Sequence, residues 1–222
     1  MTNLDPFKPA LADLPDRLPI FPLPQALLLP HGQLPLHIFE PRYVAMVLAA
    51  LQSKSRLIGM IQPRDEDDMS DTAPLYGTGC AGRISSFQET EDGRLMITLT
   101  GVCRFKYQSD QLQAGGFRLA EVTWDDYAHD LLPCAEQVKD LEIDRSLIIS
   151  GLRQSLKRWE LSGDWSVVEQ ASDGVLINTL SVVCPFAPQE QQALLEAPSL
   201  QERAMILACL LNIIATGGDC VN

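Results

Sequence analysis

Between residues 18 and 43 the chain places six prolines, Pro19, Pro22, Pro24, Pro30, Pro35 and Pro41. A proline fixes φ and cannot donate to a sheet ladder, so the apolar runs between them read as short edge or crossing strands and not as one long strand. The stretch then turns into a helix. Pro41 sits where a first helical residue belongs, and Glu40 before it brings a carboxylate to the positive end of the dipole. Val44, Val47, Leu48 and Leu51 recur at helical spacing, which predicts a helix ending near residues 52–55.

Downstream the pattern is mostly strand. Residues 57–61 form a short apolar run of the buried type, and residues 63–74 are acidic and bracketed by prolines, as in a solvated loop. From Tyr76 onward, residues 84–90 and 94–100 flank Glu91-Asp92-Gly93, a strong hairpin signal because Asp-Gly supplies the positive φ of a tight turn. A Gly115-Gly116 turn leads into another strand over 117–124. Six or seven short strands around one helix argue for a small closed or half-closed barrel. Beyond Tyr127 the apolar period changes to three or four. Val138, Leu141, Leu147, Ile148, Leu152, Leu156 and Trp159 predict one long helix with a glycine stop at Gly163. Shorter helices follow, capped by Asp164, by Ser172 or Asp173, and by Ser199 in a capping box, with another opened by Pro188. The expected division is a loosely held arm over 1–17, a barrel over 18–128, a helical bundle over 129–217 and a tail over 218–222.

A net charge of −12 disfavours a phosphate backbone as partner, since nucleic-acid affinity rests on clustered Lys and Arg and the twelve arginines are scattered. No window approaches the roughly 18 apolar residues of a membrane span. The N-terminus lacks a basic stretch leading into an apolar run, so no secretion signal is read. Cysteines 80, 103, 134, 184, 209 and 220 form no Cys-x-x-Cys pair. Reduced, buried thiols in a cytoplasmic protein are the expectation.

Motifs of chemistry are scarce. Residues 77–82, Gly-Thr-Gly-Cys-Ala-Gly, spell the dinucleotide fingerprint, but residues 83–87 alternate like a strand where the fingerprint requires a helix, so a close backbone approach is the better reading. His31, His37 and His129 show no metal-ligand spacing, and His37 is expected to be hydrogen-bonded inside the fold. No Gly-x-Ser-x-Gly elbow occurs. Glu40, Arg42 and Tyr43 form the most interesting polar cluster. Structurally, Glu40 caps the helix and Arg42 pairs with an acid across the corner; functionally, the same residues form one wall of a peptide groove.

Phe21-Pro22-Leu23, residues 34–43 (Leu-Pro-Leu-His-Ile-Phe-Glu-Pro-Arg-Tyr), residues 57–60, residues 77–81, Leu99-Thr100-Gly101 and Arg104-Phe105 together resemble the N-terminal substrate-binding domain family of Lon proteases. The resemblance is close over residues 18–125 and looser in the helical tail. It implies an α+β protein, a PUA-like, partly open β-barrel holding one helix and followed by a C-terminal helical bundle. It further implies a non-catalytic binding module, without the ATPase and Ser-Lys protease modules of full-length Lon; the motif patterns above give the expectation of no cofactor and no metal. Its partners would be unfolded or exposed polypeptide segments and a protease or ATPase complex, with no membrane; self-association into a homo-oligomer stays open. His37, Phe39, Glu40, Arg42 and Tyr43 are the peptide-contact candidates, with free strand edges offering main-chain hydrogen bonds. PUA-like barrels elsewhere bind RNA, here through Arg83, Arg94, Arg104 and Arg118, or hold a small ligand inside the barrel; these are the alternatives.

Overall fold

The computed structural model describes residues 9–68, 70–133, 136, 138 and 141–217. Residues 1–8 of the expected arm, the tail at 218–222, and Cys134 and Cys220 lie outside them. The chain divides into two compact units at Leu132/Pro133.

The first unit is a barrel. Its strands are β1 (Arg17–Pro22), β2 (Gln33–Ile38), β3 (Leu57–Ile61), β4 (Thr78–Glu89), β5 (Leu95–Leu112) and β6 (Arg118–Thr123), with helix α1 (Pro41–Gln52) between β2 and β3. The sheet order is β2-β5-β4-β3-β1-β6, and β6 pairs back onto β5. Five strands therefore close into a ring and β2 stands outside it, so the expected opening is confined to the β2 edge. The 18-residue β5 makes this work: residues 95–100 carry β2, and residues 106–112 carry β6. β1 runs parallel to β3, which requires the long crossover through β2 and α1.

The ring interior is a packed core, not a ligand chamber. Phe105 lies at its centre with Ile20, Leu18, Ala81 and Val122, and its ring meets Trp124 edge-on at 5.9 Å. Gly79 is needed here because a methyl on it would collide with the Phe105 ring and stand 2.5 Å from the Met60 carbonyl. The fingerprint-like residues 78–82 thus lie inside β4, where the register against β5 shifts between Ala81 and Gly82. Gly93 takes φ 77° in the expected hairpin turn.

Two expectations for this unit need correction. The described part of the supposed loose arm is built into the barrel: Leu14 is buried, the Trp124 indole donates to the Pro15 carbonyl at 3.0 Å, and Arg17 already belongs to β1. The acidic loop is not simply solvated. Its base is closed by the Arg64 amide donating to the Pro74 carbonyl at 2.8 Å, and Arg118 Nη1 donates to the Ala73 carbonyl at 2.9 Å.

In the second unit the described helices are α2 (Arg145–Arg158), α3 (Trp165–Gln170), α4 (Asp173–Val183), α5 (Pro188–Glu196) and α6 (Leu200–Thr216). Their core includes Ile148, Leu152, Ile177, Leu180, Leu194, Leu207 and Leu211. The long helix expected from Val138 starts only at Arg145, because Asp144 accepts from the Leu147 amide and caps it there. It ends at Arg158, with Glu160 rather than Gly163 in the left-handed region at φ 55°.

Candidate functional site

The sequence-nominated residues divide into two groups. His37 and Phe39 are exposed, Phe39 at 62%, with ring centroids 6.0 Å apart; His37 is therefore not buried as expected. Pairing with Met96 puts His37 on the outer face of β2. Tyr43 is buried against Phe21, with ring centroids 4.2 Å apart, and the Arg42 guanidinium covers its ring at 4.7 Å. Arg42 donates to Glu40 at 3.0 Å and to Asp71 of the acidic loop at 2.8 Å. Glu40 occupies the N-cap position without a side-chain cap bond, because its carboxylate serves Arg42 instead.

The β2 edge has limited value for strand addition. The Gly101 amide donates to the Gly32 carbonyl at 2.9 Å. Alternation along an antiparallel ladder then directs the main-chain groups of Leu34, Leu36 and Ile38 toward β5, and those of Gln33, Pro35 and His37 outward. Pro35 has no N–H to offer, so the edge is interrupted at its middle.

A larger recess lies elsewhere on the barrel. It has a volume of about 870 Å³ and three walls. Residues 9–19 form the first, fixed by the Trp124 bond and by the Val122 amide donating to the Asp16 carbonyl at 3.0 Å. The end of α1 and its link to β3 form the second. There Ser53 Oγ accepts from the Arg56 amide at 3.0 Å, and Arg83 Nη1 donates to the Ser55 carbonyl at 2.7 Å. The third wall is the β5–β6 turn, closed by the Gln113 amide on the Phe117 carbonyl at 2.8 Å, with Gly116 at φ 79°. Leu14, Leu18, Leu57, Val102, Phe117 and Leu119 give the recess an apolar lining. Such a volume falls within the range of about 300–1,000 Å³ typical of ligand clefts.

Cations gather at one end of this groove. Lys54 and Arg83 line it, and Arg56 follows directly in the α1–β3 link. Burial, with the charge of Arg56 added, pulls the Arg83 guanidinium below its ordinary pKa. Arg17, in the opposite wall, is already paired with Glu121, and Asp13 Oδ2 accepts from the Ala10 amide at 3.1 Å. Sequence reasoning missed this site because its walls come from three separated segments; the clustering of Lys54 and Arg56 beyond a helix end was the one local signal.

Arg104 and Arg118, two of the four arginines of the RNA alternative, are 1% and 8% exposed and bound to Asp130 and Asp110, so neither is offered to a phosphate; Arg94 pairs with Asp92. Burial, helped by the charge of Asp130, pushes the Cys103 thiol up to about 12, and burial alone does the same for Cys184; neither is a nucleophile in the folded state. Among the described residues no group of three His, Cys, Asp or Glu side chains is placed to hold a metal ion. No described helix is long and apolar enough to cross a membrane.

Comparison with known proteins identifies the family and the fold. The model of the ATP-dependent protease La (LON) substrate-binding domain matches residues 17–212. The chain is 24% identical over 202 residues to Lon protease 2 of Myxococcus xanthus, covering 90% of this chain and 24% of that one. It is 28% identical over 221 residues to the Lon protease of Parabacteroides distasonis, covering 93% and 25%. It thus spans about a quarter of the length of these curated relatives. Among solved structures, a Lon N-terminal domain protein from Xanthomonas campestris superposes with a TM-score of 0.61 at 23% identity, covering 87% of this chain and 97% of that one. The N-terminal domain of Mycobacterium avium complex Lon protease gives 0.60 at 19% identity, covering 88% and 98%.

Proposed function

The chain belongs to the LON substrate-binding domain family, and from that premise we propose that its barrel unit binds exposed or unfolded polypeptide segments without transforming them. One observation carries the reading: an apolar groove of about 870 Å³ whose three walls are each held by hydrogen bonds to the main chain. A groove that is already formed spends little ordering entropy on capture, and its apolar lining suits side chains that a folded client keeps inside. His37 on β2 and Phe39 just beyond it, both exposed, give a second point of contact, while Arg42, bonded to Glu40 and lying over Tyr43, holds Asp71 of the acidic loop. Main-chain pairing along β2 is secondary because Pro35 interrupts that edge. Captured segments would pass to a protease or ATPase complex in the cytoplasm, where the buried thiols stay reduced.

The test is fluorescence anisotropy with a reduced, alkylated client and the same client in its native form. Saturable binding of the unfolded form alone, at micromolar to millimolar protein, is expected. Failure to bind either form, or binding of both equally, contradicts the reading. Apolar capture also predicts little loss of affinity between 50 and about 200 mM salt, whereas phosphate contacts of an RNA-binding barrel would lose orders of magnitude over that range.

A further inference from the structure

The cationic end of the groove is unexpected in a chain of net charge −12, where the average field repels anions. Lys54, Arg56 and Arg83 nevertheless meet at the link from α1 to β3. The local backbone is held in an uncommon form to achieve this: Arg56 takes φ 53°, in the left-handed region that non-glycine residues seldom visit. Ser53 Oγ anchors its amide, and its carbonyl accepts from the Ile84 amide at 3.0 Å. Arg83 stands beside it on β4, opposite Leu57, a buried apolar residue of the groove. Like charges brought together at the end of an apolar cleft complement a ligand with an apolar body and an anionic tip.

We propose that the groove takes the carboxyl-terminal end of a polypeptide, with its last apolar side chains along the lining and its α-carboxylate against Lys54 and Arg83. The proposal rests on the polypeptide-binding reading and narrows its substrate class. A terminal carboxylate is attached directly to the Cα of the last residue, so an apolar side chain and the charge arrive together. A carboxylate on an Asp or Glu side chain requires the main chain to continue past the α1–β3 link. The occupant is then recognised by exposure of its end, a property that a folded protein with a tucked-in C-terminus lacks.

The experiment compares two fluorescent ten-residue peptides of one sequence ending in Leu-Leu-Phe, one a free acid and the other a C-terminal amide, titrated with the full chain at low salt. The acid is expected to bind about tenfold more tightly or better, the range of a charge-assisted hydrogen bond. Lys54→Gln, at an exposed position, should shrink that ratio, and adding Arg83→Gln should bring it to about one. Circular dichroism checks that each variant is folded; Lys54→Gln alone keeps the test decisive if Arg83→Gln unfolds. Equal affinity for acid and amide overturns the proposal and leaves the broader reading intact. A ratio that survives Lys54→Gln unchanged also overturns it. Tighter binding of dodecanoate than of the acid peptide assigns the groove to fatty-acid anions instead. If neither peptide binds, the broader reading falls with it.

Discussion

Arg104 donates to both carboxylate oxygens of Asp130, from Nε to Oδ2 and from Nη2 to Oδ1, each at 2.8 Å, with both side chains almost entirely buried. Asp130 Oδ2 also accepts from the Arg104 main-chain amide at 3.0 Å, and the guanidinium lies 4.4 Å from the Tyr127 ring centroid. The pair fastens the 3-10 segment after β6 to the middle of β5. Arginine stays charged, so Asp130→Ala leaves a buried cation without its anion and should cost about 3–5 kcal/mol in urea unfolding of the barrel. Replacing both residues, as Arg104→Met with Asp130→Leu, should recover most of that loss. A cost below about 1 kcal/mol for Asp130→Ala would show that the pair contributes little.

A second, part-buried pair gives a pH signature. Burial alone would raise the Asp110 carboxyl, but hydrogen bonds from Arg118 and Tyr107, with the charge of Arg118, outweigh it and hold it below its ordinary value. A carboxyl depressed in the folded state stabilises the fold above its unfolded pKa of about 3.9, and the contribution disappears as pH falls through the folded value. The stability gap between the native protein and Asp110→Asn should therefore be about 1–3 kcal/mol and constant from pH 7 to about 5, narrowing below pH 4. Denaturant midpoints at pH 7, 5, 4 and 3 measure it. A gap that widens on acidification would contradict the assignment.

The thiols should separate by burial. Cys80, Cys103 and Cys184 are enclosed, and the raised pKa values of the last two suppress the reactive thiolate, whereas Cys209 is exposed on α6. In a Cys134→Ser, Cys220→Ser background, a thiol reagent at pH 8 should modify one cysteine rapidly and the other three only on unfolding. Peptide mass mapping should locate the fast site at Cys209.

Much of the architecture is readable in the residues because the signals are local. The strand at Leu57–Ile61, the Asp92-Gly93 turn, Pro41 at the start of α1 and the Ser199 cap of α6 each act within a few positions. The misreadings concern partners far apart in sequence. Leu14 looked like part of a loose arm because its anchors, Trp124 and Val122, lie more than a hundred residues away. The acidic loop looked free because Arg42 and Arg118, which hold its far side, come from α1 and β6. His37 looked internal because its neighbours are apolar, yet strand alternation turns it outward beside Met96. The groove was missed for the same reason: no single stretch contains more than one of its walls.

The most direct test of polypeptide capture is mapping of backbone amide shifts in the isotope-labelled chain as an unfolded client is added. Perturbations concentrated at residues 14–19, 49–57 and 113–119, and abolished in a folded Ala49→Trp variant that fills the groove, are the predicted result. Binding that leaves those residues unmoved, or that Ala49→Trp does not weaken, would contradict the account.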